Sequence, residues 1–240
     1  RDPHDLALRG RDKHTMTRAV HEEIARVVEL GPGDDLVDIG CGDGTLLQMA
    51  RALGVNHAIG THATEEEAAL VRDMGLDARQ GLSHRLPLRD SSASVVVCNS
   101  VLLIVAREQI PPSLREIHRI ARPGARIYLG EIPFVPGPPP EPEFDNLRQT
   151  LAHLYRKRGL RTCLGMARRV AYSKLTGSAL VIRTGIGVSF HAGPEELIAM
   201  AASAGLRIVR YWRHQHWAGR NNYLFIKPAG NDLENPSTRN

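Results

Sequence analysis

Three glycines, at positions 40, 42 and 44, form the feature of the sequence with the clearest chemical meaning. They follow a short apolar segment, 35–39, and Thr45 then begins a segment whose apolar spacing predicts a helix. Glycine lets the backbone approach a ligand closely, and the first turn of a helix offers N–H groups without an internal partner. The spacing does not fit the dinucleotide fingerprint, which needs glycine where Thr45 stands, or a P-loop, which needs a following Gly-Lys-Ser/Thr. The sequence therefore predicts a ligand site of another kind at this loop.

Further polar residues lie where the predicted strands end, and ligands of open α/β sheets bind beyond the carboxyl ends of the strands. Asn99 and Ser100 follow the fourth predicted strand, and Glu131 ends the fifth. His191 precedes a late helix and is the first candidate for a general base, because an imidazole is half neutral near about pH 6.5. Glu131 is the second catalytic candidate, and His14, at the start of the first helix, is a candidate substrate contact. A loop histidine that merely bonds the backbone remains the alternative for His191.

Predicted strands and helices alternate along the chain, which is typical of a doubly wound, mostly parallel sheet. The strands are expected at 35–39, 56–60, 78–80, 94–99, 126–131, 207–213 and 222–227, and the helices at 14–30, 45–53, 64–74, 112–121 and 195–204. The alternation is interrupted at 133–142, which holds six prolines. Two amphipathic helices are expected after it, at 146–158 and 160–175.

The motif Asp38-Ile-Gly-Cys-Gly-Asp-Gly44 resembles the cofactor loop of the class I S-adenosylmethionine-dependent methyltransferases. Leu86-Pro-Leu, Ser94-Val-Val-Val and the segment 115–131 follow in the order that this family shows. The resemblance implies a seven-stranded sheet of order 3-2-1-4-5-7-6 with an antiparallel last strand. It divides the chain into a methyltransferase core (1–132 and 191–230), a proline-rich linker with a basic helical lid (133–190) and a loose tail (231–240).

The resemblance also implies S-adenosylmethionine as cofactor and S-adenosylhomocysteine as product. The residues that would contact them are Asp38, Gly40, Cys41, Gly42 and Gly44 at the methionine portion and ribose, Thr61 and His62 at the end of strand two, Leu82 and Ser83 at the adenine, and Asn99 and Ser100 at the sulfonium.

Two positions depart from the family pattern. His62 stands where an acid usually accepts both ribose hydroxyls, and a neutral imidazole accepts only one hydrogen bond. Leu82 stands where Asp commonly binds the adenine amino group, and each lost charge-assisted bond costs about 1.5–3 kcal/mol. Three interpretations follow: Glu65 or its neighbours compensate, the cofactor binds weakly, or methyl transfer is lost. Compensation is favoured because the glycine loop is intact; His62 as a surface residue at the helix start is equally open.

The net charge of +5 is unevenly distributed over the 240 residues. The segment 146–194 holds nine positive charges and no acid, and the rest of the chain has a net charge of −4. The segment is interpreted as a lid in which Arg168 and Arg169 grip an anionic acceptor. A nucleic-acid face, a solvated surface and a helical pair that docks on a membrane or a second subunit are the alternatives. With only three aromatic residues for stacking, nucleic acid is ranked below a small acceptor.

Several other classes of protein are disfavoured. No apolar run reaches about 18 residues, so no membrane-spanning helix is expected. The start is polar, without the features of a signal peptide. Cys41, Cys98 and Cys163 are too scattered for a disulfide framework or a metal cluster, which favours a reducing cytoplasm. His214 and His216 alternate on a predicted strand without a third ligand, so no metal site is expected.

The predicted function is methyl transfer to an oxygen, or with less support a nitrogen or carbon, of an anionic small molecule in secondary-metabolite or glycan biosynthesis. A protein of this fold without methyl transfer, serving as a binding or scaffold module, is the first alternative, and an RNA methyltransferase is the second. A homodimer formed through the insert is also left open.

Overall fold

The structure is a computed structural model that describes residues 13–134, 155, 160, 190–215 and 219–229, with the backbone alone for 13–17. The chain divides into two compact units, Arg1–Gly137 with Val188–Asn240 and Pro138–Gly187. In the second unit only Tyr155 and Leu160 are described, both helical and exposed. The rest of the predicted lid, including Arg168 and Arg169, and the predicted tail lie outside the described residues.

Seven strands form one sheet in the order β3-β2-β1-β4-β5-β7-β6. The strands are β1 (Asp35–Ile39), β2 (His57–His62), β3 (Asp77–Gln80), β4 (Ala93–Asn99), β5 (Ala121–Pro133), β6 (Arg207–Arg213) and β7 (Arg220–Ile226). β7 runs antiparallel to both of its neighbours, and the other pairs are parallel. The predicted fold class and strand order are therefore confirmed.

Helices cover both faces of the sheet. They are α1 (Lys13–Val27), α2 (Thr45–Ala52), α3 (Glu65–Asp73), α4 (Ile110–Ile120) and α5 (Pro194–Ser203). Strand residues alternate between two cores: Val97 packs on the side of α1 to α3, whereas Val96 packs on the side of α4 and α5. All five residues of β1 are buried because both faces of this strand are covered. No helix among the described residues is long and apolar enough to cross a membrane.

The predicted helices and strands within the described residues are confirmed to within a few residues, with one larger difference in β5. This strand begins at Ala121, whereas the sequence had predicted a helix as far as 121 and a strand starting at 126. Ala121 pairs with Ala93, and the register then shifts before pairing resumes at Val95 and Arg126. The irregularity accommodates a proline and a glycine inside the strand, since a proline cannot donate to the ladder.

Thr64 caps the amino terminus of α3. The Glu67 amide donates to Thr64 Oγ1 at 3.3 Å, and the Thr64 hydroxyl donates to Glu67 Oε2 at 3.0 Å. Replacing Thr64 with alanine is therefore expected to lower the free energy of unfolding by about 1 kcal/mol, as measured by urea denaturation. Thr64→Ser keeps the hydroxyl and is expected to retain most of that stability; equal stability of the alanine and serine variants would contradict the capping role.

Candidate active site

The glycine loop joins the carboxyl end of β1 to α2 and is open above its tip. Gly40, Gly42 and Gly44 have φ angles of 71°, 56° and 75°, a region that favours glycine. A Cβ on Gly40 would lie 2.3 Å from Val101 Cγ2, whereas one on Gly42 would meet nothing within 4 Å. The amides of Gly40 and Cys41 donate to Thr61 O at 2.9 and 3.2 Å, which ties the start of the loop to β2.

Asp38 lies at the end of β1, beneath this loop, and its carboxylate is incompletely satisfied. The side chain is buried, and Oδ2 has no hydrogen-bond partner among the described residues. Burial, and secondarily the charge of Asp43, raises the pKa of Asp38 to about 7. A buried carboxylate oxygen without a donor is unfavourable unless a ligand supplies one. Asp38 thus fits a ligand that brings an N–H or O–H group, or a positive charge.

Two further buried atoms on the α1 side of the sheet also lack partners among the described residues: Asn99 Oδ1 and His21 Nδ1. Asn99 Oδ1 lies over β5, where a Cβ on Gly130 would be 2.0 Å from it. Burial lowers the pKa of His21, and the charges of Asp43 and Glu131 oppose this effect. His21 therefore lies within electrostatic reach of both the glycine loop and the end of β5. Sequence reasoning missed it, because nothing but its position within α1 distinguishes it.

The backbone is unusual where β4 and β5 end. Ser100 and Glu131 have φ angles of 58° and 60°, which non-glycine residues rarely adopt. At Glu131 the pairing with β7 also shifts register, between Leu129 and Ile132. Such conformations cost about 1–3 kcal/mol each and are concentrated at functional sites. The two strained residues contact each other, since Ser100 Oγ donates to Glu131 Oε2 at 3.2 Å.

The Glu131 carboxylate is the centre of a buried polar cluster. Its partners in this Glu131 cluster are Asn99 Nδ2 at 3.3 Å, Ser100 Oγ at 3.2 Å, Arg220 Nη1 at 2.5 Å and His214 Nε2 at 3.9 Å, and its own amide donates to Asn222 Oδ1 at 3.0 Å. Both carboxylate oxygens therefore face donors supplied by the protein. This arrangement favours a role for Glu131 in fixing its neighbours over a role as proton acceptor.

Three members of the Glu131 cluster, His214, Arg220 and Asn222, were not expected at the site. They come from β7 and from the residue that follows β6, far beyond Glu131 in the sequence. The one signal for them is the polar Arg220-Asn-Asn222 segment that opens an otherwise apolar strand. Among the described residues no group of side chains could hold a metal ion, and His216 lies outside them.

The residues at the ends of β2 and β3 that were predicted to contact the ribose and adenine differ in burial and in hydrogen bonding. His62 Nε2 is 2.9 Å from Gly42 O, and Thr61 is fully buried with no partner for Oγ1 among the described residues. Leu82 is exposed, whereas Ser83 Oγ hydrogen-bonds Ser113 Oγ at 2.9 Å and so faces α4. Glu65, which was expected to compensate for His62, is ion-paired with Arg72.

The two described cysteines of the core are packed residues, as expected. Cys41 Sγ packs so closely against Gly60 that a Cβ added to this glycine would lie 2.3 Å from the sulfur. Burial raises the pKa of Cys41 to about 12. Burial also raises the pKa of Cys98. Neither thiol is therefore an activated nucleophile, since the thiolate is the reactive form.

His191 is half-buried in a segment that is held from three sides. Its carbonyl accepts from Arg107 Nη1 at 3.2 Å, and the amides of Phe190 and Ala192 donate to Leu103 O and Pro133 O. These bonds connect the segment to the residues that follow β4 and to the end of β5. His14 lies in α1, where the structure describes its backbone alone.

The glycine loop, the polar strand ends and the 3-2-1-4-5-7-6 sheet define the class I methyltransferase fold. Residues 37–129 match the family described as methyltransferase domain. A structure of an S-adenosylmethionine-dependent methyltransferase from Mesorhizobium loti superposes with a TM-score of 0.58 at 15% identity, covering 85% of this chain and 96% of that one.

Two curated relatives match parts of the chain. A 37.1 kDa protein of transposon TN4556 from Streptomyces fradiae is 36% identical over 107 residues, 42% of this chain and 30% of the relative. Malonyl-[acyl-carrier protein] O-methyltransferase from Serratia marcescens is 29% identical over 118 residues, 49% of this chain and 46% of the relative. The chain thus spans less than half the length of these relatives in the matched regions.

The fold is that of the class I S-adenosylmethionine-dependent methyltransferases, and S-adenosylmethionine is the cofactor that this resemblance implies. The residues present fit this cofactor on three observations. Asp38 Oδ2 and Asn99 Oδ1 are buried acceptors that lack donors among the described residues, and the ammonium group of the cofactor needs such acceptors. The space above Gly42 is open. The glycine loop also leads into the amino terminus of α2, where the helix dipole is positive.

Proposed function

We propose that the protein transfers a methyl group from S-adenosylmethionine to an oxygen atom of an anionic small molecule. The cofactor supplies an electrophilic methyl group on a sulfonium. The chain must then align the acceptor, keep water out and, where needed, remove the acceptor's proton. Asp38, Asn99, and the loop from Gly40 to Gly44 would hold the cofactor.

The Glu131 cluster is the observation that carries the proposal. It uses two strained residues and a partly buried ion pair to fix Asn99 and Ser100 at the carboxyl edge of the sheet. The Glu131 carboxylate accepts a hydrogen bond from Asn99 Nδ2, whereas Asn99 Oδ1 has no partner among the described residues. We assign Glu131 the task of orienting these two side chains toward the reacting groups, because such rigidity benefits an in-line displacement.

His191 is the proposed general base. Its segment is anchored by Arg107, which is ion-paired with Glu196 on α5 and stacks over the Phe190 ring with its guanidinium carbon 5.7 Å from the ring centroid. A histidine on an anchored segment at this edge can act as a proton acceptor without a large rearrangement. His191→Asn is expected to lower the rate of methyl transfer with little effect on cofactor affinity.

Two observations support an anionic acceptor and attack by oxygen. Nine positive charges without an acid in 146–194 favour an anion, with Arg168 and Arg169 as the proposed contacts. The Serratia marcescens relative is a malonyl-[acyl-carrier protein] O-methyltransferase, and a malonyl group carries a carboxylate. Because Cys41 and Cys98 are free thiols, a cytoplasmic location is proposed as well.

The test is transfer of a radiolabelled methyl group from S-adenosylmethionine to a panel of carboxylates, phosphorylated compounds, matched neutral analogues and RNA. Base-labile label in a carboxylate supports the proposal, and charge reversal at Arg168 and Arg169 is expected to raise KM for that acceptor. Label in RNA, with binding that weakens steeply with salt, would instead support an RNA methyltransferase. Cofactor binding without transfer to any acceptor would favour a binding module.

A further inference from the structure

The His62 side chain contacts the tip of the glycine loop. Nε2 lies 2.9 Å from Gly42 O, and a carbonyl oxygen can only accept, so Nε2 carries the proton of this hydrogen bond. The side chain is only 12% exposed, which means that its ring is held against protein atoms on most sides. The residue that departs from the family pattern is therefore engaged with the loop itself.

The other ring nitrogen faces a carboxylate. His62 Nδ1 is 3.6 Å from Glu67 Oε2, the oxygen that also accepts from the Thr64 hydroxyl at 3.0 Å. A chain of contacts thus runs from the capped amino terminus of α3, through Glu67 and His62, to Gly42. Since both ring nitrogens face protein oxygens, neither is directed to a ligand hydroxyl in this arrangement.

The contact acts on a part of the loop that other bonds leave unsupported. The amides of Gly40 and Cys41 hold the start of the loop to Thr61 O, and Asp43 caps α2 through Thr45 N at 3.1 Å. Gly42 lies between them, exposed, and a Cβ there would meet nothing within 4 Å. Among the described residues, His62 is the side chain that hydrogen-bonds the Gly42 carbonyl.

We propose that His62 is a positioning residue that fixes the tip of the glycine loop for the cofactor, instead of replacing the family's acid as a ligand of the ribose. The inference rests on the cofactor and not on the nature of the acceptor. It requires a donor at position 62: a carboxylate there cannot donate to Gly42 O, and it would stand against the charge of Glu67.

Variants at position 62 separate the two roles. His62→Gln keeps an N–H that can reach Gly42 O, and calorimetric titration with S-adenosylhomocysteine is expected to give a Kd within about threefold of the wild type. His62→Ala and His62→Asp lose the donor, and the Kd is expected to rise about tenfold or more, as for one hydrogen bond. His57→Asp, at the exposed opposite end of β2, is the matched control and is expected to bind as the wild type does.

The proposal is overturned if His62→Asp binds the cofactor product as tightly as the wild type or more tightly, which is the result expected of a ribose ligand. It is equally overturned if His62→Gln binds as weakly as His62→Ala. Thermal melting of each variant shows whether it is folded. If His62→Asp does not fold, the comparison of the glutamine and alanine variants decides.

Hydrogen exchange of the loop amides in the cofactor-free protein gives a readout that does not depend on binding. Faster exchange at 41–44 in His62→Ala than in His62→Gln supports the role of the hydrogen bond, and equal exchange contradicts it. If the wild type binds no S-adenosylhomocysteine, the proposed function fails, whereas the exchange comparison still tests what His62 does to the loop.

Discussion

Replacing Asp38 with asparagine is expected to weaken binding of S-adenosylhomocysteine by about 10- to 100-fold, the loss of one charge-assisted hydrogen bond of about 1.5–3 kcal/mol. The asparagine side chain has nearly the same shape as that of aspartate, so the loss isolates the charge. Asp38 Oδ2 is buried without a partner among the described residues, and in the proposed site the ligand's ammonium group supplies the donor that this oxygen lacks. Asp73→Asn, at an exposed position at the end of α3, is the control and is expected to leave the Kd unchanged.

The same substitution is expected to make the cofactor-free protein more stable above pH 7. The pKa of Asp38 is about 7 in the folded protein, against an ordinary value of 3.8, and burial is the main cause. Between these pH values the folded state binds more protons than the unfolded state, so the free energy of unfolding falls as pH rises. The full loss is about 4 kcal/mol, at about 1.4 kcal/mol per pKa unit.

Urea denaturation at pH 5 and pH 8 measures this effect. The wild type is expected to be less stable at pH 8 by the contribution of Asp38, and Asp38→Asn is expected to lack that part of the difference. A variant that binds the ligand less well but is more stable at pH 8 identifies a carboxylate that is kept for a ligand and not for the fold. Equal pH dependence in the two proteins would contradict the raised pKa of Asp38.

Removing the Glu131 carboxylate is expected to destabilise the folded protein. In Glu131→Ala, Arg220 and His214 lose the carboxylate that contacts both of them. The Arg220 side chain is 25% exposed. Breaking a buried ion pair by removing one partner costs about 3–5 kcal/mol, and the partial exposure of Arg220 places the expected loss at about 3 kcal/mol. Urea denaturation measures this loss, and Glu131→Ala combined with Arg220→Met is expected to recover part of it.

Glu131→Gly is the matched control for the backbone. The φ of 60° at this position strains an alanine but not a glycine, so the glycine variant is expected to be more stable than the alanine variant by about 1 kcal/mol. In both variants methyl transfer is expected to fall more than affinity for S-adenosylhomocysteine, because Asn99 and Ser100 lose the group that orients them. A loss below about 1 kcal/mol in Glu131→Ala would contradict a buried ion pair that matters to the fold.

The sheet order follows from local patterns in the sequence and from the family resemblance. Buried apolar strands alternate with helices whose ends are marked by local residues, such as Thr64 before α3 and Gly54 after α2. The glycine loop is recognisable because its three glycines lie close together in the sequence. These signals need no knowledge of distant contacts. The early start of β5 at Ala121 was missed, since a Pro-Gly pair ordinarily marks a turn and only pairing with Ala93 makes this segment a strand.

The polar contacts of the site were less accessible from the sequence. Glu131 was identified as the end of a strand, but its ion pair with Arg220 joins residues 89 positions apart. At position 62 the sequence shows only that an acid is missing, and the contact with Gly42 O depends on the register of β2 against the loop. Compensation by Glu65 or its neighbours stays a prediction, and the Glu65 carboxylate is ion-paired with Arg72 on the same helix.

Calorimetric titration of the wild-type protein with S-adenosylmethionine and S-adenosylhomocysteine tests the central claim most directly. The site described above predicts saturable binding of both compounds, with one site per chain and with proton release near pH 7 as Asp38 ionises against the ligand. Repeating the titration in buffers of different ionisation enthalpy measures that proton. Absence of binding at millimolar ligand would contradict the proposal that this chain is a cofactor-dependent methyltransferase.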